Sequence, residues 1–559
     1  MAMETSMAVN QCDRMDANTS SNRPTKGGWK AAIFIMFVEF GERFAYYGIT
    51  GNLINYLTIV LKEPFARAAQ NVNIWHGVSA IFPLVGGFLA DSYFGRFNMI
   101  IFASITYFLG LLMLAISVVT IHPKHQVLPF FIALHVINIG EGGHRPCIQT
   151  FAADQFDDGI PEEKAVKKSF FNWWYLGIVF GAISGTLAVS SVQFNINWGW
   201  GFAIPAMVVA AAFIVFLAGK NTYRREVKVG SPITKVAHVI VAAVKKRNLS
   251  LENEFNMYVQ GEESGVAKTR VLAHTNQFRF LDKAALIDDR DKSAAKHDEW
   301  RLCTVNEVEQ VKLLMRLLPI WISCIIFSIV IAQLGTFYTL QAEKLNRTIG
   351  STKFKIPAAS FQVIPGLTIL TVIPFYERVI IPTAKHLTKQ PSGITMLQRI
   401  GFGIFFSILT MIVAALVESK RIGVAKHQGL MDDQESFFPM SAWWLVPQYV
   451  LIGVADMLTI VGLQELFYDQ VPDEMRSLGA AAYLSILGVG SFMSSALISV
   501  VRMVTTRRGD EWLKGANLNK MHLDYFYWLL ACLSGFGLVM FVVLAKGFVY
   551  KKLQRDAEA

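Results

Sequence analysis

The chain has 559 residues, 53% of them hydrophobic and 17% charged, with a mean hydropathy of +0.39. That balance excludes an ordinary water-soluble domain, and apolar runs reaching the ~20 residues that cross a bilayer recur along the sequence. The formal net charge is +10 and the isoelectric point about 9.2. The charge lies mostly outside the apolar runs and no nucleic-acid-reading motif is present, so it suits loops against anionic headgroups rather than RNA or DNA.

The five cysteines (Cys12, Cys147, Cys303, Cys324, Cys532) are scattered and form neither a zinc pattern nor a disulfide framework, so no metal and no cofactor is expected. Residues 1–28 are polar and lack the apolar segment of a cleavable signal, which reads as a disordered cytosolic tail. Hydropathy predicts spans near 30–58, 73–93, 98–120, 128–150, 169–190 and 198–219. After a gap it predicts spans near 314–338, 357–378, 396–417, 443–466, 480–501 and 525–547. The expected fold is therefore an all-α membrane protein of twelve transmembrane helices in two six-helix bundles, 29–219 and 310–549, with a cytosolic tail at 550–559. Two such halves are what the major facilitator architecture requires, with a solute site between them near the midplane.

The first span carries Glu39, Glu42 and Arg43 inside its apolar run. Each charge at bilayer depth costs at least ~2.5 kcal/mol, so the group is a functional hypothesis by default. On a helix Glu39 lies on one face with Glu42 (i, i+3) and Arg43 (i, i+4), which lets Arg43 hold one carboxylate ionised while the other exchanges a proton. Between the second and third spans, Asp91 and Arg96 stand five residues apart across Gly95 and suit a conformational latch. The fourth span ends in Gly140-Glu141-Gly142-Gly143-His144-Arg145-Pro146. A buried Arg145 needs an anionic partner, and the expected one is Asp456 of the tenth span, pairing across the halves as a gate; a static ion pair, or no contact, is the plainer alternative. The fifth span opens with Lys167-Lys168 and an aromatic run, from which Asn172 and Tyr175 are candidate cavity residues and otherwise interface anchors. His76 and His135 read as packed histidines.

Residues 220–309 form the one long polar segment. Its Lys and Arg clusters place it on the cytosolic side, and the even span count puts both termini there as well. It reads as a tether, with a regulatory domain as the alternative, and Ile233–Val244 suits an amphipathic helix lying at the membrane surface. The basic stretch from Arg502 to Lys520 falls outside by span count, against the charge rule. Asn346-Arg347-Thr348 is a glycosylation sequon in a non-cytosolic loop.

Glu39-x-x-Glu42-Arg43 followed by Phe44-x-Tyr46-Tyr47-Gly48 resembles the ExxER signature of the proton-coupled oligopeptide transporters. The Gly140–Pro146 run resembles their fourth-span motif, and Phe170–Tyr175 the start of their fifth. Ala152–Asp157 and Tyr468–Pro472 resemble the plant nitrate/peptide branch. The resemblance covers roughly Trp29 to Lys552. It implies proton symport, with Glu39, Glu42 and Arg43 coupling the proton and Tyr46, Tyr47 and Arg145 facing solute. Three departures stand out: Arg145 occupies a position where the family often has Lys; Gln470 stands where the family's tenth-helix Glu falls; and Ile331 stands where nitrate-dedicated members place His.

The expected function is a multi-pass, monomeric secondary transporter in the plasma or vacuolar membrane, its partners the lipid bilayer, protons and a small anionic or zwitterionic solute such as nitrate or a di- or tripeptide. Rival readings are a proton-independent facilitator or exporter of a plant metabolite, and a transport-dead solute sensor signalling through the 220–309 segment. An enzyme is not expected, since no nucleophile or metal constellation is present.

Overall fold

The computed structural model describes residues 26–551 apart from 157–160, 226–231, 250–257, 259–271, 273, 289, 292–297, 299, 351–353, 390–392, 433–437, 472–475 and 510. Expectations about the N-terminal tail lie outside these residues. Six long helices form the first bundle: Gly28–Asn55, Phe65–Leu89, Arg96–Thr120, Pro123–Ala153, Pro161–Asn195 and Trp198–Ala218. The second bundle holds Val305–Ile331, the eighth span begun by Val363–Phe375, Met396–His427, Val446–Gln470, Arg476–Arg507 and Leu523–Lys546. The eighth span is broken: a π-helical turn at Tyr376–Ile380 follows Pro374 and leads into Ile381–Thr388, as expected where proline removes a helical donor.

Several helices outrun the hydropathy that announced them. The second starts at Phe65 rather than near 73, the seventh at Val305 rather than near 314, and the ninth runs to His427 rather than near 417. Apolar windows mark only the bilayer-thick part, whereas caps set the ends. Thr304 and Glu307 form a reciprocal capping box that starts the seventh helix. Among the described residues, ten helices are long and apolar enough to cross a membrane. The first and fourth fall short, and these two carry the ionisable cluster described below.

Helix approach is set locally by glycine. A Cβ at Gly86 would overlap the Gly142 carbonyl, and one at Gly185 would overlap the backbone of Phe44. Small residues thus let the second helix meet the fourth, and the fifth meet the first. Gly185→Ala is expected to cost about 1–3 kcal/mol through overpacking. Gly177→Ala on the same helix, where nothing lies within 4 Å of the added carbon, should stay within about 0.5 kcal/mol. Thermal denaturation of the two variants in detergent compares them.

The bundles meet chiefly where the second span packs against the eleventh. Asn73 donates to Ser494 (3.1 Å), Gln70 to Ser499 (2.7 Å) and Gln362 to the Gly51 carbonyl (2.8 Å). The Phe65 N–H donates to Gly515 O (3.3 Å). All four lie toward the end at which the first helix finishes. The basic 502–520 stretch sits at this end too, with acids close by: Arg502 is 3.5 Å from Glu511, and Lys520 pairs with Asp432. Local neutralisation relaxes the conflict with the charge rule.

The linker helix Pro232–Lys245 does not keep its apolar face for lipid. Val239, Ala242 and Ala243 pack with Leu281, Ala284, Cys303, Val308 and Val311 in a small core against the seventh helix. Fully buried Lys312 binds Asp282 (2.6 Å) and Glu309 (2.7 Å) and donates to Thr275 O (2.8 Å). Lys246 binds Asp291 (2.7 Å) and Leu286 O (2.6 Å). The interfacial expectation for Ile233–Val244 is corrected on this face: protein supplies the apolar surface.

Candidate functional site

The cluster starts on the first helix. Arg43 Nε is 2.7 Å from Glu39 Oε1 and 3.2 Å from Glu42 Oε2. Glu42 Oε1 reaches Arg145 Nε of the fourth helix at 3.4 Å. Arg145 Nη2 pairs with Glu141 one turn earlier, and Glu141 Oε2 accepts from Ser79 Oγ of the second helix at 2.7 Å. The Arg145 guanidinium lies over the Tyr46 ring, 4.2 Å from its centroid, a cation–π contact strengthened by desolvation. Tyr46 OH is 3.0 Å from His76 Nδ1, and its ring stacks on Trp75. Three carboxylates and two guanidiniums are thus gathered in one bundle, with the carboxylate side chains at most 4% exposed. Buried charges this close are tolerable only because each has a counter-ion; removing one partner strands the other.

Glu39, Glu42, Arg43, Tyr46 and Arg145, read from separate segments of the sequence, lie together in space. Tyr46 is buried at 9% exposure whereas Tyr47 is 40% exposed, so the two tyrosines split between packing and open surface. Tyr175 is 43% exposed and stands within electrostatic reach of Tyr47 and of Asp456. Tyr483 of the eleventh helix is within reach of Arg43 and Arg145. Tyr483 therefore faces the cluster.

The expected Arg145–Asp456 pair is not formed: among the described residues no ion pair joins them. Glu141 on Arg145's own helix and Glu42 on the first are nearer and take up the guanidinium. Arg96 pairs with Asp154 at the end of the fourth helix. The side chains of Asp91 and Asn172 lie outside the described residues. Gln470, at the family's Glu position, is buried and accepts from the Lys551 N–H (2.7 Å) while donating to Asp469 (2.8 Å). It ties the tenth helix to the segment after the twelfth. In the sequon, Asn346 Oδ1 accepts from Thr348 N–H (3.1 Å) and Oγ1 (2.8 Å).

Sequence reasoning gave Glu141, Ser79 and the His76–Tyr46 contact no role. The i, i+4 spacing of Glu141 and Arg145 was a usable signal. Ser79 gave none, because a lone serine in an apolar helix is unremarkable until a carboxylate faces it. Among the described residues, His274, Asp282 and Glu309 converge closely enough to hold a metal ion. The Lys312 ammonium already sits between Asp282 and Glu309, so the cationic place is taken.

The architecture is thus two six-helix bundles, the first of them holding a buried ion cluster. Residues 97–514 match the POT family (PTR2). The chain is 49% identical over 546 residues to Protein NRT1/PTR FAMILY 5.4 of Arabidopsis thaliana, covering 96% of this chain and 98% of that one. The fold is similar to the crystal structure of an auto-inhibited POT family peptide transporter (TM-score 0.70, 21% identity, 93% and 97% of the two chains). It is also similar to that of a POT family transporter in complex with 5-aminolevulinic acid (TM-score 0.64, 13% identity, 94% and 98%). The chain belongs to the POT family, and its close relatives are plant NRT1/PTR proteins.

Proposed function

We propose that the chain is a proton-coupled symporter of a small anionic or zwitterionic solute, nitrate or a short peptide among them, working by alternating access. The observation that carries the reading is Glu42, a buried carboxylate between Arg43 and Arg145. Protonating it removes one counter-charge from two guanidiniums at once and changes which conformer is favoured. Hydrogen bonds close the end where the first helix finishes, which on the expected topology makes this conformer inward-facing. Tyr47, Tyr175 and Asp456 line the path on the open side in this reading. A relative's complex with 5-aminolevulinic acid, a zwitterion, supports the solute class.

The test is electrical. In oocytes expressing the chain, nitrate or a dipeptide pool is expected to evoke inward current at acid pH that shrinks at neutral pH. Solute flux indifferent to pH would overturn the coupling and favour a facilitator.

A further inference from the structure

Glu141 is the charge that the expected mechanism does not use. It is fully buried, Oε1 is spent on Arg145 and Oε2 on Ser79. Arg145 is correspondingly occupied: Nε on Glu42, Nη2 on Glu141, and its face on Tyr46. A planar oxyanion seeking the guanidinium fork therefore meets a carboxylate already seated on one prong. The charge count points the same way. Glu39, Glu42 and Glu141 face Arg43 and Arg145, so with every carboxylate ionised the cluster carries one surplus negative charge and repels an incoming anion.

We propose that Glu141 is a positioning residue that holds Arg145 away from solute until a proton neutralises it, making oxyanion affinity at Arg145 proton-gated. The solute group recognised is a planar oxyanion, a nitrate or a peptide carboxylate, because a freed guanidinium edge binds either in bidentate fashion. A proton on Glu141 cancels the surplus charge and leaves Ser79 and the Tyr46 ring to hold the two side chains in register. The groups facing Glu141 are Arg145 on its own helix; Glu42, Arg43 and Tyr46 on the first; Ser79 on the second; and Tyr107 on the third.

The inference rests on the symport reading, but its test needs no gradient. Equilibrium binding of nitrate and of a glycyl dipeptide is measured on the purified full-length chain at pH 5.5 and 7.5, with Glu141→Gln alongside. The wild type is expected to bind both probes more tightly at pH 5.5, by up to about tenfold per pH unit for one linked proton. Glutamine keeps the size and the contact with Ser79 but is permanently neutral. Glu141→Gln should bind at pH 7.5 as the wild type binds at pH 5.5, with a flat profile. Wild-type pH dependence surviving in Glu141→Gln overturns the proposal, as does wild-type binding that is equal at both pH values. Should Glu141→Gln fail to fold, Ser79→Ala serves: it removes a donor to the ionised carboxylate, so the binding profile should shift to higher pH, and an unshifted profile overturns the proposal. Binding that behaves as expected while flux ignores pH would instead sink the symport reading and leave Glu141 in its role. Binding of only one of the two probes names the source of the oxyanion.

Discussion

Glu42→Gln is expected to abolish proton-driven accumulation of solute while leaving exchange between internal and external solute intact. Among the described residues, Glu42 is the one carboxylate placed on both Arg43 and Arg145. Glutamine has nearly the same shape, so the local packing is kept, but it can neither gain nor lose a proton. The cluster is then fixed in its neutral-Glu42 form and proton binding no longer biases the two conformers. Each pH unit of gradient is worth about 1.4 kcal/mol per proton, or about tenfold in accumulation. Two pH units across proteoliposomes should drive accumulation of roughly 100-fold in the wild type and none in the variant, with counterflow rates within a few-fold of each other. Accumulation by the variant equal to that of the wild type would remove Glu42 from the coupling.

Arg421→Met is expected to have the largest effect on stability. Arg421 and Glu418 are 1% and 0% exposed within the ninth helix. The guanidinium binds both Glu418 oxygens (2.9 and 2.7 Å), Asn519 Oδ1 (2.6 Å) and Leu518 O (2.8 Å). Gln341 adds a 2.7 Å donation to Glu418. Removing the cation leaves a buried carboxylate with one neutral partner, a loss on the order of 3–5 kcal/mol. At about 2–4 °C per kcal/mol for a unit of this bundle's size, the apparent Tm should fall by roughly 10 °C. Glu418→Gln/Arg421→Met should recover part of that loss, because no charge is then stranded and Gln341 keeps a partner. A single variant as stable as the wild type would mean that water reaches Glu418 in the native protein. This ion pair secures the loop at 518–519 to the closed end of the second bundle, and the predicted span near 396–417 stopped just before it.

The ionisable residues were legible because the sequence places them where lipid forbids them. Glu39, Glu42, Arg43 and Arg145 interrupt apolar runs, and helical spacing alone puts the first three on one face. Ten of the twelve helices, among the described residues, are marked as spans by their length and hydropathy, while the first and fourth are diluted by the charges and glycines they carry. The four-residue spacing of Gly181 and Gly185 is a local signal for close helix contact, although not for which helix they meet. All of these are local properties, carried by residues a few positions apart.

What only the tertiary structure decided is which charge meets which. From the sequence, Asp456 was the natural partner for Arg145, because it is the acid in the core of its own span. The structure gives that place to Glu42 and Glu141. Pairing depends on helix rotation and depth, which the glycine contacts of Gly86 with Gly142 and of Gly185 with Phe44 fix. The linker shows the same division. An amphipathic pattern over Ile233–Val244 says that one face wants apolar cover, but protein and lipid satisfy that want equally well. Contacts with Leu281, Ala284 and Val308 made the choice. Periodicity and hydropathy determine that a face is buried or a charge is paired. Only long-range packing, which brings together residues hundreds of positions apart, selects the partner.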